Sequence, residues 1–414
     1  MPAPLPAPGS PLPVIIDTDP GIDDCLALLL ALNSPELDVR AISISYGNTV
    51  VEHAFRNAVE IIRRAKHGEG ARVPIGIGAR RPLKRQLQVA DDTHGPSGLG
   101  YADLPPAGVI LDYVRPLERL LETQPEPVTL VTLGPVTSLA LVLRANPDLV
   151  REKVARHVAM IGNIEAAGNQ TRFSEFNAWC DPEALATVIA AELPTEMIGL
   201  DVTRKVIMKG NEVERLAPHA PWLYDALRFY VEFHKQQEGL DGAVINDVLA
   251  IGYLLQPDVL TFSDLRISVD LDDGQRRGRT KLDPKGSFVR VAMDVHAPPV
   301  RRMLFERVLP AGAPSRCRWR WRDDSTESGG HRRRRHRHRL GRAVRLGRMV
   351  GGDLRLEPEH VGAGVGGDRA ADAGTRSARS RARGDRGARP ARAGTREIPE
   401  RGGPGRGLGD RGDS

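Results

Sequence analysis

Four aspartates, Asp17, Asp19, Asp23 and Asp24, fall within the eight residues Asp17-Thr18-Asp19-Pro20-Gly21-Ile22-Asp23-Asp24. Bringing so many carboxylates together is costly unless a cation, bound protons or hydrogen-bond donors offset their repulsion. Pro20-Gly21 forces a tight turn, so carboxylates from a strand end and a helix start can converge. The turn offers oxygen donors only, which suits Ca2+ or Mg2+ better than zinc. The chemistry implied is metal-dependent hydrolysis; the plainer alternative is a solvated acidic loop with capping aspartates.

Two further groups bear on that choice. Asn163, Asn169, Glu175, Asn177 and Asp181 form a cluster of amides and carboxylates. Groups that both donate and accept suit a polyhydroxylated ligand such as a sugar. Asn246-Asp247 opens an apolar run from Val248 to Leu255, where Asp247 reads either as a helix cap or as another ligand.

The elements that must position these residues follow an alternating pattern. Leu12 to Ile16 reads as a buried strand entering the acidic turn. Asp23 or Asp24 then caps a helix from Cys25 to Asn33, which Ser34-Pro35 ends. Strands are expected at Val39–Ser45, Val73–Ile77, Val128–Leu133, Val154–Ile161 and Glu196–Leu200. Helices are expected at Val50–Lys66, Val136–Arg144 and Pro182–Ala191. Residues Asn211 to Tyr253 read as mainly helical; strands follow at Val259–Val269 and Ser287–Val295, and a helix at Pro299–Leu309. Strands alternating with helices imply an α/β fold, a mostly parallel central sheet flanked by helices. Such sheets bind ligands at the carboxyl ends of their strands, where the acidic turn sits.

Composition divides the chain into a Pro- and Ala-rich leader (1–11), a folded domain (12–310) and an Arg- and Gly-rich tail (311–414) expected to be disordered. The overall charge of +6 comes from that tail. Residues 313–414 hold 26 Arg, no Lys and 13 Asp plus Glu, leaving the rest of the chain with 33 basic and 40 acidic residues. The body is therefore mildly acidic, and nucleic acid is an unlikely partner except through the tail. A tail of 26 arginines without a single lysine fits an out-of-frame translation of GC-rich DNA better than a binding arm or a solubilising extension. Cys25, Cys180 and Cys317 form no CxxC pair, the leader is no secretion signal, and the longest apolar run is too short to span a bilayer. A cytoplasmic protein with no membrane association is the expectation.

Taken together, the motifs resemble the inosine-uridine preferring nucleoside hydrolases. The resemblance begins with the acidic turn after an apolar strand and continues through Gly47-Asn48, with Glu52 and Asn57 on the following helix. It includes Val73-Pro74-Ile75, Thr93-His94-Gly95-Pro96-Ser97-Gly98-Leu99-Gly100 and Leu133-Gly134-Pro135-Val136-Thr137-Ser138-Leu139. Met160-Ile161-Gly162, Glu175-Phe176-Asn177, Asp181-Pro182-Glu183-Ala184 and Asn246-Asp247 complete the series. Order and spacing hold from about Leu12 to Leu309.

The resemblance implies a Rossmann-like fold and hydrolysis of the N-glycosidic bond of ribonucleosides to ribose and free base. It implies one Ca2+ held by Asp19, Asp24, the backbone carbonyl of Leu133 and Asp247, with Asp19 also activating a Ca2+-bound water. Asp23, Asn48, Asn169, Glu175 and Asn177 would hydrogen-bond the ribose, and Met160 would line the pocket; Asp17 would support the turn from behind. A homodimer or homotetramer is implied, in a role in nucleoside catabolism or purine and pyrimidine salvage.

One position departs from the pattern. Many such enzymes place a histidine before the last metal-binding aspartate, where it protonates the leaving base; here the residue is Asn246. An amide is no general acid at neutral pH. Another donor, other substrates or weakened catalysis would follow, with His94 the first replacement candidate and His234 the second. The alternatives are thus a nucleoside-binding protein with weakened catalysis and a Mg2+-dependent phosphohydrolase, though no Walker-type phosphate loop is present.

Overall fold

The computed structural model describes residues 9–65, 73–105 and 116–308. Most of the leader and the entire 311–414 tail lie outside those residues, as does the expected helix end at Lys66.

The sheet strands are β1 (Leu12–Thr18), β2 (Leu37–Ile44), β3 (Ile75–Ile77), β4 (Val128–Thr132), β5 (Val154–Ala159) and β6 (Thr195–Met197). A short pair follows, β7 (Ile207–Lys209) and β8 (Gly242–Val244), then β9 (Leu260–Val269), β10 (Thr280–Leu282) and β11 (Ser287–Val295). Nine strands form one sheet in the order β10-β9-β11-β6-β5-β4-β1-β2-β3. Neighbours from β11 to β3 run parallel, and β9 and β10 add an antiparallel edge. The mostly parallel α/β sheet expected from the alternation is therefore present.

Burial on both faces explains the composition of the inner strands. In β1 every residue after Leu12 is buried, and in β4 all five are, as parallel strands covered by helices require. Helix Ile22–Leu32 is buried from Ile22 to Ala31 and packs against helices Val51–Arg64, Asn246–Leu255 and Ala297–Val308. The Ser34 hydroxyl donates to the Leu30 carbonyl at the helix end (2.6 Å), and the Asn33 amide donates to the Arg307 carbonyl (2.7 Å). The end of the described domain is thus tied to its first helix.

Several boundaries differ from the sequence expectations. The first helix starts at Ile22 rather than Cys25, with Gly21 at the cap position. Asp24 sits in its first turn and accepts the Gly21 N–H at 3.0 Å, so it secures the helix start without being the cap residue. β6 is only three residues long, because the chain turns into a short helix at Leu200–Thr203. The stretch from Asn211 to Tyr253 is not continuously helical: β8 pairs antiparallel with β7 and re-aims the chain just before Asn246.

A buried histidine inside the sheet carries a measurable consequence. On β5, His157 Nε2 lies 3.0 Å from the Thr132 hydroxyl and Nδ1 lies 3.1 Å from that of Thr195. Burial pushes its pKa from 6.5 down to about 4. Between those values the unfolded chain binds a proton that the folded chain does not, so stability falls as pH drops through that window. The loss should approach about 3 kcal/mol, read as a falling thermal midpoint that flattens in His157→Gln. An identical slope in both proteins would assign the effect elsewhere.

Candidate active site

β1 lies between β2 on one side and β4 on the other, so the chain leaves it in both directions along the sheet. Such a switch point opens a crevice beyond the strand ends. Asp19 follows β1, Gly47-Asn48 follow β2, Leu133-Gly134 follow β4 and Met160 follows β5. The expected site residues therefore converge from separate strand ends.

Asp19 is fully buried. Its Oδ2 accepts the Asn48 N–H at 2.6 Å, while Oδ1 is buried with no hydrogen-bond partner. Two glycines make room for it: a Cβ at Gly47 would lie 1.9 Å from Oδ2, and one at Gly134 would lie 2.3 Å from Oδ1. Asp24 accepts from the Asn48 side-chain amide (2.8 Å), the Gly21 N–H (3.0 Å) and the Thr18 hydroxyl. Asp23 accepts from the backbone N–H of Asn246 (3.2 Å) and from its side-chain amide (3.4 Å). Asp247 stands in the first turn of helix Asn246–Leu255. Carboxylate oxygens of Asp23, Asp24 and Asp247 lie within 4.8 Å of one another, all buried.

The electrostatics of this group point one way. Burial pushes the pKa values of Asp19, Asp24 and Asp247 upward, and the charges of neighbouring aspartates push them further. Asp23 is also raised by burial, with its bonds from Asn246 pulling the other way. Asp17, beneath the turn, is pushed up to about 7 by burial, while the hydroxyls of Ser43 and Ser138 pull it down less strongly. A set of crowded buried carboxylates, with Asp19 Oδ1 left unpartnered, is a fit for a hard divalent cation. These residues could hold a metal ion.

The pocket beside this group encloses about 750 Å³, its open mouth included. Asp23, Asn48, His94, Leu133, Met160, Asn169, Glu175, Asn177, Asn246 and Asp247 line it, so ten of the residues singled out from the sequence meet in one cavity. Asp19 and Asp24 sit behind them in the floor, fully buried. Glu175 caps helix Phe176–Cys180 and accepts backbone N–H groups from Gly162 (2.8 Å), Asn177 (2.8 Å) and Ala178 (3.0 Å). Burial nevertheless raises its pKa to about 7. The Asn177 amide donates to the carbonyls of Leu133 (2.7 Å) and Met160 (3.0 Å), and Asn169 accepts the Phe176 N–H at 2.9 Å.

Two members of the amide-carboxylate cluster take other work. Asn163 donates to the carbonyls of Ala166 (2.8 Å) and Phe173 (3.2 Å), pinning a loop. Asp181 caps helix Pro182–Ala190 and accepts from Leu83 (2.8 Å) and Thr137 (2.8 Å). Neither lines the pocket. Residues that sequence reasoning passed over include Arg204, Gln170 and Leu200 at the pocket wall. No local pattern marks them, although Gly47 and Gly134, directly beside Asn48 and Leu133, could have signalled a close approach.

His94 is buried, its Nδ1 accepting the Ile22 N–H at 3.1 Å and its ring lying 5.2 Å from that of Tyr230. Burial lowers its pKa to about 4, which leaves it neutral near pH 7. His234, Tyr230 and Phe233 form the opposite, more apolar wall from helix Pro221–Glu238.

The same arrangement of strand ends occurs in known proteins. Residues 14–302 match the inosine-uridine preferring nucleoside hydrolase family. The chain is 38% identical over 280 residues to the pyrimidine-specific ribonucleoside hydrolase RihA of Salmonella enteritidis, covering 66% of this chain and 88% of that protein. Among solved structures it is similar to the plant nucleoside hydrolase PpNRh1, with a TM-score of 0.64, 30% identity and coverage of 72% of this chain and 99% of that one. It also resembles a purine-preferring ribonucleoside hydrolase from Gardnerella vaginalis, with a TM-score of 0.65, 26% identity and coverage of 72% and 98%. On this evidence the chain belongs to the inosine-uridine preferring nucleoside hydrolase family and is a nucleosidase acting on ribonucleosides.

Proposed function

We propose that Asp19 is the general base for hydrolysis of the N-glycosidic bond, in a site that uses Ca2+. The observation that carries this reading is the buried, unpartnered Asp19 Oδ1, its carboxylate held between Gly47 and Gly134. Asp19, Asp24, Asp247 and the Leu133 carbonyl would hold the ion; of these, Asp24 and Asp247 share a cluster with an Asp23 oxygen, and Asp19 is not part of that cluster. When bound, Ca2+ supplies the positive charge that reconciles the carboxylates and makes a nearby water more acidic.

The chain's own groups do the rest. Asp19 takes the proton from the attacking water, with Oδ2 fixed by the Asn48 N–H and Oδ1 free to accept. Asp23, Asn48, Asn169, Glu175 and Asn177 hold the ribose hydroxyls, and buried Met160 closes the wall beside the sugar. Carboxylates around the sugar favour the positive charge that develops on the ring as the bond breaks. Asn246 donates twice to Asp23 and so positions a sugar ligand; it is not a proton source.

Pyrimidine ribonucleosides are the first substrates to try, because RihA of Salmonella enteritidis, 38% identical to this chain, is named for them. The catalytic domain is assigned to residues 12–310. A homodimer or homotetramer, and a cytoplasmic location with Cys25 and Cys180 as free buried thiols, belong to the same reading. Among the described residues no helix is long and apolar enough to cross a membrane.

The test is ribose release from uridine, cytidine and inosine, with and without chelator. Chelation should lower the rate at least about tenfold, and added Ca2+ should restore it. Chelator-insensitive release would remove the cation from this reading. Tight nucleoside binding with no ribose release would favour a binding protein weakened at Asn246.

A further inference from the structure

Breaking a glycosidic bond leaves an electron pair on the departing base nitrogen, which needs a proton if the base is a poor leaving group. Asn246 cannot supply it. Two imidazoles line the same pocket, and their hydrogen bonds place their protons oppositely. The Ile22 amide can only donate, so the Nδ1 of His94 facing it is the bare nitrogen. Protonating that atom would break the bond that ties His94 to the acidic turn. The Tyr230 carbonyl can only accept, so His234 Nδ1, 2.8 Å away, carries the hydrogen. A second proton on His234 Nε2 leaves that bond intact.

The surroundings of His234 fix its ring in the pocket. Its ring is held edge-on by Tyr230 (4.5 Å between centroids) and Phe233 (5.4 Å), and all three line the pocket. Glu238, one helical turn further along, faces the same cavity.

We propose that His234 protonates the leaving base, the role that the residue at position 246 cannot fill, and that His94 is a positioning residue for the turn. This rests on the hydrolase reading above. In the step, the water oxygen bonds to the anomeric carbon and its proton passes to Asp19. The carbon–nitrogen bond breaks, its electron pair stays on the base nitrogen, and His234 Nε2 delivers a proton there. Proton exchange with solvent returns Asp19 and His234 to their starting states, so the net reaction consumes only nucleoside and water.

The experiment compares wild type, His234→Gln, His234→Phe and His94→Gln on uridine and on p-nitrophenyl riboside, whose leaving group departs without protonation. Thermal midpoints establish that each variant is folded. Both His234 variants should lose at least about tenfold more kcat/KM on uridine than on p-nitrophenyl riboside. His94→Gln should lose similarly on both substrates. Equal losses on the two substrates in the folded His234 variants, or no loss on uridine, would overturn the assignment while leaving the hydrolase reading intact. A wild type that releases ribose from neither substrate would overturn both.

Discussion

Replacing Asp19 with asparagine should lower kcat for ribose release by roughly 10³-fold, while the thermal midpoint of the cation-free protein stays level or rises. The two effects share one cause. Asp19 is a buried carboxylate beside Asp24, with one oxygen unpartnered and its pKa driven up by burial and by that neighbour. Such a group is a burden on the fold and is useful only where charge must be gathered and a proton accepted. An asparagine of the same shape can keep the bond from the Asn48 N–H through its carbonyl oxygen but accepts no proton. Steady-state kinetics and a melting curve in chelator check the two halves. Activity within tenfold of wild type would remove Asp19 as the base, and a clearly lower midpoint would show that the carboxylate supports the fold.

The second large effect is steric. Gly47→Ala should lower kcat/KM by about 10²-fold, and Gly134→Ala by a similar factor, because a misplacement on the scale of 1 Å costs that much in a preorganised site. Neither glycine has the positive φ that excludes other residues, so the backbone accepts alanine. What does not fit is the methyl group, 1.9 Å from one Asp19 oxygen at position 47 and 2.3 Å from the other at position 134. The carboxylate must rotate or the strand ends must part. Near-normal kcat/KM in both variants would show that Asp19 can move without consequence, contrary to its proposed role.

These glycines also show how far the sequence could be read. Asp17 to Asp24 announce themselves by charge density, and the alternation of apolar strands with longer helices is enough to place them at strand ends. Asn48, Met160, Glu175 and Asn177, drawn from separate stretches of the chain, line one pocket. Asn163, chemically indistinguishable from Asn169 and Asn177, and Asp181, a carboxylate like Glu175, turned out to pin a loop and cap a helix. Polar identity does not reveal which way a loop residue faces; that is fixed by backbone partners distant in the chain, such as the Leu133 carbonyl for Asn177. The three residues of β8 were hidden inside a helical pattern for a similar reason. A strand that short gains its stability from β7 rather than from its own periodicity. The early start of the first helix depends on a side chain reaching back from Asp24 to Gly21, an interaction that exists only once the turn has closed.

The bond from Asn246 to Asp23 spans 223 residues of sequence, and this separation has a consequence for biosynthesis. The acidic turn is among the first parts of the domain to be made, and helix Asn246–Leu255 follows only after β1 to β8. A growing chain therefore carries three of the four floor carboxylates long before Asp247 exists to join them. The energetic cost of crowding those charges is postponed until after the strands from β1 to β6 have been synthesised. Contacts so distant along the chain form late, so a chain truncated before Asn246 would retain the acidic turn but not the finished pocket.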